Sequence, residues 1–103
     1  MDVSSGIYVI NTLKANNCID KGISVGEKSH VRVMNIDLIK SSLAFASKDS
    51  SHLIIENGFV DKYNICASAY RKKQEFGPAS IQLNKNLCNS KNILIQNQSK
   101  LIL

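Results

Sequence analysis

Seven residues of this chain recur 22 positions later: Ser29-His30-Val31-Arg32-Val33-Met34-Asn35 returns as Ser51-His52-Leu53-Ile54-Ile55-Glu56-Asn57, with five of the seven alike in type. Self-similarity at a fixed period makes each repeat one structural unit that must pack on the next. An earlier copy, Ile7-Tyr8-Val9-Ile10-Asn11, stands 24 residues before the first. A degenerate copy follows at Ser80-Ile81-Gln82-Leu83, and Ser99-Lys100-Leu101-Ile102-Leu103 starts the pattern again. The shift of 22 also superimposes 22–28 on 44–50 and on 66–71.

Each repeat holds short runs that are β-branched or alternate with period two, as in Val31-Arg32-Val33 and Leu53-Ile54-Ile55. That spacing excludes an amphipathic helical repeat. Leucine-rich repeats share the period range, but the Leu positions here are not periodic. The fold class that remains is all-β: a right-handed parallel β-helix, or solenoid, of three to four coils of roughly 22 residues. Each strand then pairs with its equivalent one turn on, about 4.8 Å away.

The expected strands lie near 7–10, 23–25, 31–34, 44–47, 53–56, 66–69, 81–83, 93–96 and 100–103. Alternation turns Val9, Ile23, Val25, Val31, Val33, Phe45, Leu53, Ile55, Ala67, Ala69, Ile81 and Leu83 inward. Asn11, Asn35 and Asn57 form a column that suits a sharp corner, because Asn tolerates left-handed backbone and its amide can bond from one repeat to the next. Between Ser51 and Ala79 the spacing grows to 28, which places an inserted loop at 72–78 ending with Pro78. The 103 residues make a single domain, 1–103. Neither end shows the polar cap a solenoid needs, so the chain reads as part of a longer β-helix.

Thirteen Lys and Arg against eight Asp and Glu give a net charge of +5, which favours anionic partners. Nucleic acid is not among them. The one basic run, Arg71-Lys72-Lys73, meets Glu75 at once and lacks interleaved aromatics. No stretch is apolar enough for a membrane-spanning helix, and the MDVSSG start lacks the features of a signal peptide. Cys18, Cys66 and Cys88 are odd in number and show no CxxC spacing, so they read as reduced structural thiols.

The runs 20–29, 46–51 and 69–77 resemble the β-helix segment of bacterial right-handed parallel β-helix repeat proteins, some of them cell-surface proteins with a CotH-like region. The resemblance implies the fold, and a surface or envelope location if the chain belongs to an exported protein. It carries over no catalytic residue, metal or cofactor.

The candidate ligand-binding residues are Tyr70, Arg71, Lys72, Lys73 and Phe76, an aromatic plane for a sugar beside cations for acidic groups. Glu27, Asp49 and Arg71 form a stacked charge column, read as a surface ladder with Lys48 offsetting the acids. His30 and His52 stack as neighbours and are too few for a closed zinc site. The function expected from these features is a non-catalytic structural or carbohydrate-binding module, with acidic polysaccharide as a candidate partner. Two alternatives stand beside it. One is a fragment of a polysaccharide lyase or uronan epimerase, with Glu27, Asp49, Arg71 and Lys73 nearest its site; the other is a protein that assembles end to end through open β-edges.

Overall fold

A computed structural model describes the backbone of residues 1–70, 77–83, 87, 93–95 and 100–102, and the side chains of these except 17–20, 93–95 and 100–102. The described chain is all-β. Its strands are β1 (Asp2–Lys48), β2 (His52–Tyr70), β3 (Ser80–Leu83), β4 (Ile93–Ile95) and β5 (Lys100–Ile102). A straight strand of 47 residues would stretch on the order of 150 Å. The whole molecule is only 33 Å in its longest dimension, so β1 bends repeatedly while keeping extended backbone.

All pairings between these strands are parallel, in the order β1-β2-β3-β5 with β4 beside β2. The repeat sets the register. From His30↔His52 to Lys48↔Tyr70 every pair is 22 residues apart, as the sequence spacing requires. Between Tyr70 and Ser80 the offset becomes 28, since His52 pairs with Ser80 and Leu53 with Ile81. The extra residues therefore fall where the insertion is expected; residues 71–76 themselves lie outside the described set.

Bends in β1 come from left-handed residues that also recur every 22 positions. Ser5, Glu27 and Asp49 have φ of 55, 53 and 54°, and the residues after the last two, Lys28 and Ser50, have 63 and 62°. A second column pairs Lys40 at 64° with Lys62 at 57°. Such backbone is disfavoured for non-glycine residues and persists where its surroundings hold it. Here Lys28 N–H donates to the Asp49 carbonyl at 3.0 Å, and Asp49 N–H to the Tyr70 carbonyl at 3.2 Å. Buried hydroxyls complete the corner: Ser51 Oγ donates to the Val25 carbonyl at 2.9 Å and lies 2.8 Å from Ser47 Oγ, while Ser29 Oγ donates to the Gly26 carbonyl.

The corners thus differ from the expected ones. Asn35 and Asn57 do pair one repeat apart, but they are exposed and sit within strands, and none of the left-handed residues is an Asn. No side-chain hydrogen bond joins their amides among the described residues. The β-conformation also continues through 11–22, 35–43 and 57–65, segments that the sequence pattern leaves between strands.

Eleven of the expected inward residues are buried, from Ile23 and Val25 to Ile81 and Leu83. Val9 is the exception, 67% exposed in a run where Ile7 is 83% exposed. In that first repeat Val3, Ile10, Leu13 and Ala15 pack against the core instead. The core also takes in Ile36 and Leu38, which lie outside the expected strands.

Cys66 is disulfide-bonded, which corrects the expectation of reduced thiols. Its partner lies outside the described side chains. A cross-link between distant positions restricts the unfolded chain and typically contributes about 2–4 kcal/mol. Adding a reductant should therefore lower the urea midpoint by the equivalent of about 2–4 kcal/mol, read from matched unfolding curves. Superimposable curves would show that the bridge does not hold the fold.

Candidate functional site

Among the described residues, three surface regions bring chemistry-bearing side chains together. The first is a polar cleft of about 310 Å³ beside the left-handed corner, lined among others by Asp2, Ser4, Lys21, Glu27 and Lys48. Sequence periodicity explains how Lys48 reaches it. Lys48 is equivalent to Gly26 one repeat earlier, and a Cβ on Gly26 would stand 2.9 Å from Lys48 Cε, so the missing side chain leaves a track for the lysine stem. Ser4 Oγ donates to Glu27 Oε2 at 3.5 Å and Ser5 Oγ to the Glu27 carbonyl at 3.2 Å, which tie the first repeat to the second.

The charge column is partly inside the protein. Glu27 is half-buried at the cleft, but Asp49 is only 1% exposed, so it is not the surface rung the sequence spacing implies. Glu27 and Asp49 share the same left-handed backbone, yet Asp49 alone is buried, a difference that period-two alternation does not predict. Arg71, the third member, lies outside the described residues, as do Lys72, Lys73 and Phe76. Tyr70 is half-buried and pairs with Lys48, adjoining the cleft lysine one repeat on. Asp2, Ser4 and Lys21 are cleft residues that the sequence pattern does not single out, because they converge only when the first repeat folds against the second.

The second region is the His column. His30 pairs with His52 and His52 with Ser80, so three polar side chains lie side by side across three strand segments. The imidazole centroids are 4.7 Å apart, tilted by 37°, and His52 Nδ1 is hydrogen-bonded to Ser80 Oγ. Both rings line an apolar groove of about 210 Å³ with Ile7, Val9, Ile54 and Arg32. Arg32 Nε lies 3.4 Å from Glu56 Oε1.

Burial, and secondarily the neighbouring His30, hold the His52 pKa below the ordinary imidazole value. The unfolded chain then binds a proton near pH 6.5 that the folded chain resists. Stability from this group is complete above about pH 6.5 and is lost as pH falls below it. The melting midpoint should drop between about pH 7 and pH 5, and His52→Gln should flatten that part of the curve. Parallel pH profiles for the two proteins would remove His52 as the source.

The third region is a smaller cleft of about 210 Å³ lined by Lys14, Ala15, Asn16, Asp37 and Ile39. Among the described residues no cluster of three or more His, Cys, Asp or Glu side chains is placed to hold a metal, and no helix is long and apolar enough to cross a membrane. No protein family, curated protein or solved structure matches this chain.

Proposed function

We propose that the chain is a right-handed parallel β-helix module, non-catalytic, that binds acidic polysaccharide on a bacterial surface or envelope protein. The observation that carries the reading is the 22-residue parallel register between β1 and β2 together with left-handed residues at the same offset. Such periodicity in both pairing and bends is what a coil stack requires. The cleft supports the ligand class. Lys21 and Lys48 provide cations for uronate carboxylates, while Asp2, Glu27 and Ser4 offer acceptors and a hydroxyl for sugar hydroxyls. The net charge of +5 favours approach of a polyanion, and a disulfide at Cys66 suits an oxidising location outside the cytosol.

The test is retardation of the purified chain in gels containing polygalacturonate, alginate or a neutral glucan. The expected result is retardation by the two acidic polymers alone, reduced in a Lys21→Gln, Lys48→Gln double variant that melts like the parent. Equal mobility in all three gels would overturn the ligand class. An absorbance rise from unsaturated product, when either acidic polymer is incubated with the chain, would replace binding by lyase action.

A further inference from the structure

We propose that His30 and His52 form an open two-imidazole site for a divalent transition metal of the copper, nickel and zinc class. The site lies apart from the polar cleft. Its basis is the register: His30 and His52 are direct partners on adjacent parallel strand segments, with ring centroids 4.7 Å apart and planes only 37° from parallel. Imidazole nitrogens bind these ions at about 2.0–2.1 Å, so two nitrogens sharing one ion stand about 3–4 Å apart, a span that neighbouring rings on adjacent strands can offer. A bound ion lies in the plane of each ring, so with His52 held by Ser80 the exposed His30 ring must turn until one of its nitrogens faces the ion.

Ser80 supplies the second element of a metal site, a partner that fixes a ligand ring. Its hydroxyl is hydrogen-bonded to His52 Nδ1. The serine hydroxyl can accept from Nδ1–H, and in that tautomer the lone pair resides on Nε2, the form a ligand needs. Both rings also line the groove with Ile7, Val9 and Ile54, which leaves space beside the imidazoles for metal-bound water or a small anion.

Arg32 lines the same groove and opposes a cation, but its guanidinium lies 3.4 Å from the Glu56 carboxylate, which offsets much of that charge. Two neutral nitrogen ligands make this an open, exchangeable site and not a closed structural one. The same ligand set orders the ions, with Cu²⁺ bound more tightly than Ni²⁺ or Zn²⁺.

Because the ligands come from successive repeats, an ion bridging them stabilises the folded chain and not the unfolded one. Titrating the metal-free chain with Cu²⁺ and Ni²⁺ by calorimetry, alongside thermal melts, tests this. The expected result is one ion per chain, a higher melting midpoint with metal, and at least about tenfold weaker binding in both His30→Gln and His52→Gln. Ser80→Ala should bind several-fold more weakly while keeping the parent's circular dichroism. His30 is exposed, so His30→Gln reports on ligation without disturbing the core. No saturable binding, or equal binding by parent and His30→Gln chains, would overturn the site. A melting shift that survives in both His variants would also overturn it, by placing the ion elsewhere.

Discussion

Phe45→Ala is expected to remove about 3–5 kcal/mol of stability, a large share of the 5–15 kcal/mol typical of a domain. Phe45 is completely buried and heads the largest fully buried side chains. It pairs with Ala67 in the next repeat, which is also fully buried and carries only a methyl group. With alanine at both positions the ring's volume becomes a void, and the surrounding strands cannot close it because their spacing is fixed by backbone hydrogen bonds. At this chain length the loss corresponds to a fall in melting midpoint of roughly 15–30 °C. Phe45→Leu keeps most of the volume and should lose much less, on the order of 1.5 kcal/mol. Chemical denaturation of the three proteins measures both differences. A Phe45→Ala chain within about 1 kcal/mol of the parent would mean that the core does not pack around this ring.

The pairing was legible in the sequence because parallel neighbours at a fixed offset copy one another. Ser29-His30 over Ser51-His52 gives the register directly, and the jump to 28 locates the added residues without any knowledge of their path. Inward positions were legible for the same reason from Ile23 to Leu83, where period-two alternation and shared register agree. They failed at Val9. In that run Ile10, Leu13 and Ala15 pack against the core instead, a face that neither the 22- nor the 24-residue displacement predicts, since both are even and keep Val9 inward.

Corners were harder to read, since their conformation comes from neighbouring backbone more than from residue type. Glu27 and Lys62 have no intrinsic preference that marks them as left-handed, and Asp49 only a modest one. They adopt it where carbonyls and buried serines of adjacent repeats satisfy the bend. The polar cleft shares this difficulty: Asp2 and Lys48 are far apart in sequence and meet only through stacking. By contrast the His pair was visible at once, because a column needs only register.

Asn57 drew attention as a corner residue, yet the demanding position is the next one. Gly58 has a φ of 155°, in a region that side-chain-bearing residues rarely enter, and pairs directly with Ile36. A Cβ there would stand 2.2 Å from the Ile36 carbonyl oxygen, 2.5 Å from its Cγ2 and 2.9 Å from its amide nitrogen. Two of these atoms are backbone and cannot rotate aside. Gly58→Ala must therefore push β1 and β2 apart where Asn35↔Asn57, Ile36↔Gly58 and Asp37↔Phe59 pair, adding lost ladder bonds to backbone strain. The expected loss is about 3–4 kcal/mol, with faster hydrogen exchange at the amides flanking residue 58. Gly77→Ala provides the contrast, because among the described residues its Cβ would meet the Ser50 hydroxyl alone, at 3.2 Å, a side-chain atom that can shift at the expense of its hydrogen bond from Gly77 N–H. It should lose no more than about 1 kcal/mol. If the two alanine variants unfold at the same denaturant concentration, close approach at Gly58 does not limit the spacing of the sheet.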